Sequence, residues 1–584
     1  MKKLIALCLC LALFLSICGC GAAAGSAAET ELAEQSSAEA TAESAKEAAE
    51  ADETAPANAE ESDLQPESEV EEDEPAVVYE KLDYTLPLFE EQKELSIFYT
   101  LRDTSGINPP SKDAPETYFW ARLQENLNVD ITFQEPSEAN ALEVYNLMIA
   151  SADITDIICE YIIADEASAY SGGYDKAIED DIYVDLMGYL DYAPNYAYYI
   201  MSDADNYKSA ITDEGHLGAF LALNTEPTVV TFGTCINEDE LAATGLEPPD
   251  TIDGWMEMFE ALAANGVTYP CAVDSEGSIM NGAFENALGA CLDTSFLVDA
   301  ETNELVFGPT TDETRAYLEL FITCRENGWI DPDWTIDYGF QNPNFVSQAI
   351  PTTNANAQDI PYYPYYIGFG ITACPLVHRD GYGANQLAID DYTTTLLRTG
   401  GGMAISTCCE DIEAAMKLMD WSYSDEGAEI CNYGWVEGET YYVEDGKKYV
   451  TTFYQEPSDY GFGNKSFYTA DGDFGLIYPN VTYEVSGDVE RNATDLWTPD
   501  PDNDAAIYYY MPDAARLTAD EAAEVTTLEA DLETYVDSAI LRWMSGLDEL
   551  NDETWNAFVA DCSSMQLDTI QAAYEAAFER YLDN

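Results

Sequence analysis

Leu95-Ser-Ile-Phe-Tyr99, Thr117-Tyr-Phe-Trp-Ala-Arg-Leu-Gln-Glu-Asn-Leu127, Val129-Asp-Ile-Thr-Phe133, the run from Ala139 to Ala150, and Ile157-Ile-Cys159 follow one another closely. The first and third alternate apolar and polar residues, as half-buried strands do, and the last is a short apolar strand. The second carries Phe119, Trp120, Leu123 and Leu127 at helical spacing. The fourth predicts a helix with Leu142, Tyr145 and Ile149 on one side. Strand, helix, strand, helix, strand predicts an α/β fold with a parallel sheet and right-handed crossovers. Ligands of such sheets sit outside the carboxyl ends of the strands. The loop after the first strand therefore offers Tyr99, Arg102 and Asp103, and the loop after the third offers Glu160 and Tyr161, as candidate ligand-binding residues.

The chain has 584 residues, with 22 Lys plus Arg against 112 Asp plus Glu and a net charge of −90. That balance excludes a nucleic-acid binder, whose affinity comes from clustered cations that release counterions. It equally excludes docking on anionic lipid through basic patches. The length predicts two or more lobes. Tyr (40) outnumbers Phe (21), and tyrosine combines apolar area with a polar tip, which suits a wet binding surface.

Met1-Lys2-Lys3 and the apolar run Leu4 to Ile17 read as a signal peptide over residues 1–19, too short to span a bilayer. The segment closes Ile17-Cys18-Gly19-Cys20, which resembles a bacterial lipobox. The resemblance implies cleavage before Cys20, lipid on its thiol, and a protein held at the outer face of the cytoplasmic membrane. Gly21 to Pro75 holds eighteen acidic residues and one lysine, a net of −17, with almost no large apolar side chain. Such a stretch cannot bury enough surface to offset the entropy of ordering. Residues 20–82 are therefore expected to be a lipidated, disordered acidic tether. Setting aside the two signal lysines and the −17 leaves −75 on residues 76–584, so the acidity extends into the folded body, where it favours solubility or a cationic ligand.

Ten cysteines lie outside the signal, none in a C-x-x-C pair, and the only histidines are His216 and His378. No metal site and no cofactor are expected from that pattern. Vicinal Cys408-Cys409 is expected to be two small buried residues. Asp500-Pro-Asp502-Asn-Asp504 starts like a calcium loop but lacks the glycine and glutamate that would complete it. Phosphate-binding, zinc-protease and serine-hydrolase motifs are absent, and no carboxylate pair can be singled out for glycoside hydrolysis. No catalytic residue is assigned.

Phe119-Trp-x-x-Leu followed by Asn128-Val129, and the helix that ends Ala-Ser151-Ala-Asp-Ile-Thr-Asp-Ile-Ile158, resemble the opening of family 1 extracellular solute-binding proteins. In that family Gly and Pro are common where this chain has Ala152 and Thr155. Pro249-Asp-Thr-Ile-Asp-Gly-Trp255 is similar to the family's start of the second lobe. Gly400-Gly-Gly-Met-Ala-Ile-Ser406, Ala414 to Trp421, Ser424-Asp-Glu-Gly427 and Asn432-Tyr-Gly434 resemble its lipoproteins for carbohydrate ABC importers, as do Trp555-x-x-Phe558 and Tyr574 to Tyr581. The resemblance implies a type 2 periplasmic-binding fold of two discontinuous α/β lobes with a helical C-terminus. Residues 83–228 plus 397–470 would form the first lobe, and 229–396 plus 471–584 the second. It also implies that Gly233, Gly400, Gly401 and Gly402 lie in hinge segments. Phe232 in the first crossing, Trp334 after a loop signal, and Tyr433 and Trp435 around Gly434 complete the candidate ligand residues. The implied partners are a small-molecule solute, most simply an oligosaccharide, and the membrane subunits of an ABC importer. A monomer without catalytic activity is expected. The alternatives are a peptide or cationic-solute receptor and a surface glycan hydrolase. On its own evidence the C-terminus is helical. Thr518-Ala-Asp-Glu521 is a capping box, and Val525, Leu528, Leu532, Val536 and Trp543 form an apolar stripe that Gly546 can end.

Overall fold

A computed structural model describes residues 79–101, 113–161, 163, 168–212, 214–280, 282–336, 343–366, 368–382, 387–389, 397, 401–451, 467–470, 472–499, 506–512 and 515–583. The signal segment, Cys20, the acidic stretch to Val78, Arg102, Asp103, Gly400 and the Asp500–Asp504 loop lie outside the described residues.

Strands β1 (Lys93–Phe98), β2 (Val129–Gln134) and β3 (Ile157–Cys159) run parallel, with β1 in the middle. The helix Tyr118–Leu127 between β1 and β2 starts at Thr117, whose hydroxyl accepts from the Trp120 amide at 3.3 Å. It ends at Asn128 in the left-handed conformation, and it buries Phe119, Trp120, Leu123 and Leu127. The helix Ala141–Ser151 corrects one expectation. It buries Ala141, Tyr145 and Met148, while Leu142 is 50 % exposed and Leu147 62 %. The stripe follows i, i+4 and i+7 from Ala141, which turns Leu142 about 100° away from the core. Ala152 ends this helix at φ +53°. A left-handed backbone costs a non-glycine residue roughly 1–2 kcal/mol, so alanine stands here under strain. Asp156 then ties β3 to β1, because its carboxylate accepts from both the amide and the hydroxyl of Ser96 at 2.7 Å.

The chain adds β4 (Ala219–Phe220) to this sheet and leaves it before β5 (Leu223–Asn224). It forms β6 (Phe232–Asn237), β7 (Phe296–Asp299), β8 (Leu305–Phe307), β9 (Thr352–Asn356), β10 (Ile371–Ala373) and β11 (Ala388–Ile389) before returning as β12 (Met403–Ile405). β12 inserts antiparallel between β3 and β4, giving the order β2-β1-β3-β12-β4. A hairpin of β13 (Tyr441–Glu444) and β14 (Lys447–Val450) follows, then β15 (Leu476–Ile477) and β16 (Tyr508–Tyr510). Two further sheets run β10-β6-β9, all antiparallel, and β11-β16-β7-β8.

Two large hydrophobic cores result. The first draws on residues 88–223 and 397–476, the second on residues 236–377 and 515–578. A smaller cluster around Cys235, Phe345, Phe369, Ile371 and Trp497 lies on β6, β9 and β10. The stretches of chain between the two cores lie side by side. β5 pairs in parallel with β15, and Leu223 bridges Leu397. Asn480 accepts from the Val229 amide and donates to the Pro227 carbonyl, both at 3.0 Å.

The C-terminal helices Ala519–Met544, Asp552–Ser564 and Leu567–Asp583 cover the second core with Val525, Leu532, Val536, Trp543, Trp555, Phe558 and Phe578. Thr518 and Glu521 form the reciprocal cap, and Gly546 follows the first of these helices at φ +71°. No described helix is long and apolar enough to cross a membrane. The ten described cysteines are free, and all are buried except Cys408, which corrects the expectation for the vicinal pair. Cys408 lies in a turn that the Cys409 amide closes on the Ser406 carbonyl at 3.1 Å, which leaves Cys408 in solvent while Cys409 joins the first core.

Candidate functional site

The carboxyl ends of β1 and β3 lie beside each other and meet the start of β12. Tyr99, one residue past β1, is buried edge-on against Trp120 (5.2 Å) and Phe133 (6.4 Å). Its hydroxyl donates to the buried carboxylate of Asp473, and burial together with that carboxylate pushes its phenol well up. Glu160, one residue past β3, is wholly buried. Its carboxylate accepts from the hydroxyls of Tyr183 (2.7 Å) and Tyr174 (2.9 Å), the Ala169 amide (3.0 Å) and the Ser168 hydroxyl (3.2 Å). Burial pushes the Glu160 carboxyl up to about 7 against those four donors. Tyr161 follows, half-buried. Gly401 sits at φ +57°, where a Cβ would lie 2.8 Å from the Glu160 carbonyl carbon and 2.9 Å from the Tyr161 nitrogen. Glycine is required there for close approach as well as for backbone conformation. Gly402 accepts from the Glu160 amide at 2.9 Å.

The other candidates fall elsewhere. Phe232 opens β6 with its side chain 51 % exposed. Gly233 beside it is a packing slot. A Cβ there would fall 2.3 Å from the indole of Trp497, whose N–H donates to the Cys374 carbonyl at 3.0 Å. Tyr433 is buried and edge-on to Tyr478 (5.9 Å) and Tyr441 (6.3 Å). Trp435 is half-buried and stacks on Trp421 at 6.0 Å and 12°. Trp334 is only 8 % exposed and packs edge-on to Phe321 within the second core. The structure thus brings Tyr99, Glu160, Tyr161 and Gly401 together and sets Trp334 apart from them. Sequence reading missed Asp473 and Trp497. Asp473 lies in Asp471-Gly-Asp473, which carries only a turn signal, and Trp497 is the last residue of a largely polar helix, Asp488–Trp497.

His216 donates or accepts at Nδ1 with Asp175 at 2.8 Å, and a Glu214 oxygen lies within 4.8 Å of ligand atoms on both. These three are the group of metal-capable side chains among the described residues. His378 is engaged through its backbone, in a bridge to Thr251.

Two buried glutamates, Glu160 and Glu285, and the half-buried Glu135 carry a pH dependence. Burial pushes Glu135, Glu160 and Glu285 each up to about 7. The folded chain therefore binds more protons than the unfolded one between the ordinary glutamate range and pH 7. Their contribution to stability is fully present below about pH 4.5 and is lost as pH rises to about 7. Arg580 holds Glu521 down at about 2, so that contribution is lost only as pH falls from about 4.5 toward 2. The expected result is a melting midpoint higher at pH about 5 than at pH about 8, reinforced by weaker repulsion in so acidic a chain. A midpoint that climbs with pH across that range would contradict it; differential scanning fluorimetry in matched ionic strength decides.

No family model matches the chain, and no curated protein matches it in sequence. Solved structures match its fold along most of its length. An HMO binding ABC-transporter associated solute binding protein of Bifidobacterium longum infantis superposes with a TM-score of 0.64 at 19 % identity, over 84 % of this chain and 99 % of that one. The alginate-binding protein AlgQ2 gives 0.60 at 18 % identity, over 84 % and 99 %. The Streptococcus pneumoniae ABC-transporter substrate binding protein FusA, in complex with fructo-nystose, gives 0.59 at 14 %, over 84 % and 100 %. With its discontinuous cores, its antiparallel return strand and these likenesses, the chain has the two-lobe α/β fold of extracellular solute-binding proteins, the type 2 periplasmic-binding fold.

Proposed function

We propose that this protein captures an oligosaccharide outside the cell and hands it to an ABC importer, releasing it chemically unchanged. The observation that carries the reading is the set of stretches between the two cores, at residues 223–229, 397 and 476–480, held side by side by backbone pairing. Such a strip lets two bodies rotate about a few residues, and a ligand that bridges them stabilises the closed state by its differential affinity. Solved structures of this fold bind HMO, alginate and fructo-nystose, by their own descriptions, which supports a glycan as solute. The accessible aromatics Phe232, Tyr161 and Trp435 would stack on sugar faces, with Arg102 and Asp103 matching hydroxyls. Buried Tyr99, Glu160 and Tyr433 would support such contacts from behind, and Trp334, packed in the second core, is left out of the site. The second reading, a cationic or peptide solute, is favoured by the −75 on residues 76–584.

A thermal-shift screen with kestose, fructo-nystose, alginate oligosaccharides and basic peptides tests the choice, since a ligand that binds only the folded state raises the midpoint by mass action. Shifts by peptides alone would overturn the glycan reading, and a converted glycan recovered from the mixture would overturn capture without catalysis. For a glycan that shifts the midpoint, Phe232→Ala is expected to weaken binding about 10-fold, the equivalent of about 1.4 kcal/mol of stacking. Calorimetry giving wild-type affinity would remove Phe232 from the site. The N-terminal proposal is separate: Cys20→Ala should release the protein to the medium or stall its maturation, and unchanged membrane retention on fractionation would refute lipidation.

A further inference from the structure

Glu160 is a wholly buried carboxyl at the carboxyl end of β3. Every element packed against it presents a hydroxyl or an amide. Tyr174 comes from the helix Gly173–Glu179, Tyr183 from the stretch that bridges Ser406 just past β12, and Ser168 and Ala169 from the segment that leads to that helix. Behind Tyr183, the helix Ala141–Ser151 adds Tyr145, its hydroxyl 2.6 Å from that of Tyr183. Tyr170 stacks near Tyr183 but turns its hydroxyl to Asp180, which Lys176 also contacts. Tyr196 and Arg516 act on Tyr174 rather than on Glu160 itself. Among the described residues no cation pairs with Glu160.

Glu160 is wholly buried among neutral donors, with no counter-cation among the described residues, so its four hydrogen bonds offset the desolvation of its charge only in part. The packed arrangement and the protonated acid therefore favour each other by linkage. The surrounding hydroxyls accommodate the proton. Tyr183 can accept from protonated Glu160 and turn its own hydrogen to Tyr145, where either oxygen can be the donor. Burial keeps the phenols of Tyr145, Tyr174 and Tyr183 well above their ordinary range, so they remain protonated while Glu160 titrates. The Glu160 main chain is pinned as well, by its amide bond to Gly402 and by the close approach of Gly401.

We propose that Glu160 is a positioning residue: its protonated form holds the carboxyl end of β3 and the Ser168–Tyr174 segment in place, and its ionisation loosens them. That this wall faces the solute rests on the capture reading above; the packing itself does not. A solute held against the wall would then bind more tightly in mildly acidic medium and less tightly as the medium turns alkaline.

Amide hydrogen exchange of residues 157–161 and 168–174 in the full folded chain, corrected for intrinsic pH dependence, tests the packing. Protection in the wild type is expected to fall about 10-fold between pH about 5.5 and pH about 8.5. Glu160→Gln, which is permanently neutral, is expected to stay protected at both. Tyr174→Phe removes a donor that favours the ionised form, so its transition should move to higher pH, a shift that a purely structural role would not produce. A flat wild-type profile, or an equal fall in Glu160→Gln, overturns the proposal. Calorimetry with kestose and fructo-nystose at the same two pH values tests the consequence. Affinity should drop at the higher pH in the wild type and hold in Glu160→Gln; pH-independent wild-type affinity overturns the positioning role. If neither glycan binds at either pH, glycan capture is what fails, and the exchange profile alone decides the role of Glu160.

Discussion

Trp497→Ala is expected to lower the stability of the chain by about 3–5 kcal/mol, the range for deleting a buried aromatic. The indole fills the slot left by Gly233, packs with Phe345, Phe369 and Ile371, and donates to the Cys374 carbonyl. Removing it leaves a cavity against β6 and strands that carbonyl without its partner. Because the slot is lined by strand backbone, it cannot close by a side-chain shift. The effect should therefore stay near the upper part of the range. Trp497→Phe, which keeps most of the ring and loses the N–H, is expected to cost about 1–3 kcal/mol. Urea titration should show a lower midpoint with an unchanged slope. A loss below about 1 kcal/mol for the alanine variant would mean that the slot does collapse. β6 begins at Phe232, a candidate ligand residue next to the Gly233 slot, so the same variant should also weaken solute binding if the capture reading holds.

Asp420→Ala is the second large expectation, again about 3–5 kcal/mol. The carboxylate is fully buried in the helix Ile412–Trp421. It accepts from the Tyr196 amide (2.7 Å), the Tyr84 hydroxyl (2.7 Å) and the Asn195 amide group (2.8 Å). Burial raises its pKa despite these donors. Alanine would leave all three donors unpaired in the interior, which is the costly half of a broken buried interaction. Asp420→Asn keeps the volume and one acceptor and should cost about half as much. The network also reaches the start of the folded body, because Asn195 accepts from the Leu82 amide at 2.8 Å and Lys417 lies over the Tyr84 and Phe89 rings. Limited proteolysis of Asp420→Ala should therefore cut within residues 79–90 before the rest of the body. Cleavage there at the wild-type rate would show that this segment is held without the aspartate.

The part of the fold that rests on local pattern was legible in the sequence. The five segments from Leu95 to Cys159 form the strands and helices their periodicity predicts, and the capping box at Thr518 and the stop at Gly546 are present as expected. Leu142 misled because apolar residues surround that helix, with Ala141 and Tyr145 setting the buried face. Aromatic side chains misled for a related reason. Trp334 follows a loop signal yet sits in the second core, and Tyr433 packs among other tyrosines. Loop position predicts exposure only where no neighbouring element covers the loop, and that cover is not local information.

Charge, periodicity and caps are properties of short stretches, so the sequence by itself determined the exclusion of nucleic acid, the opening parallel strands and the C-terminal helices. Tertiary structure alone decided that residues 403–405 return between β3 and β4, because strand partners about 185 and about 245 residues apart leave no local trace. It alone decided that Gly233 is a slot for Trp497, since a glycine's neighbours in space are invisible along the chain. And it alone decided that Glu160, one acid among 112 acidic residues, is enclosed by tyrosine hydroxyls with no cation among the described residues, because burial, which shifts a carboxyl, is set by everything folded around it.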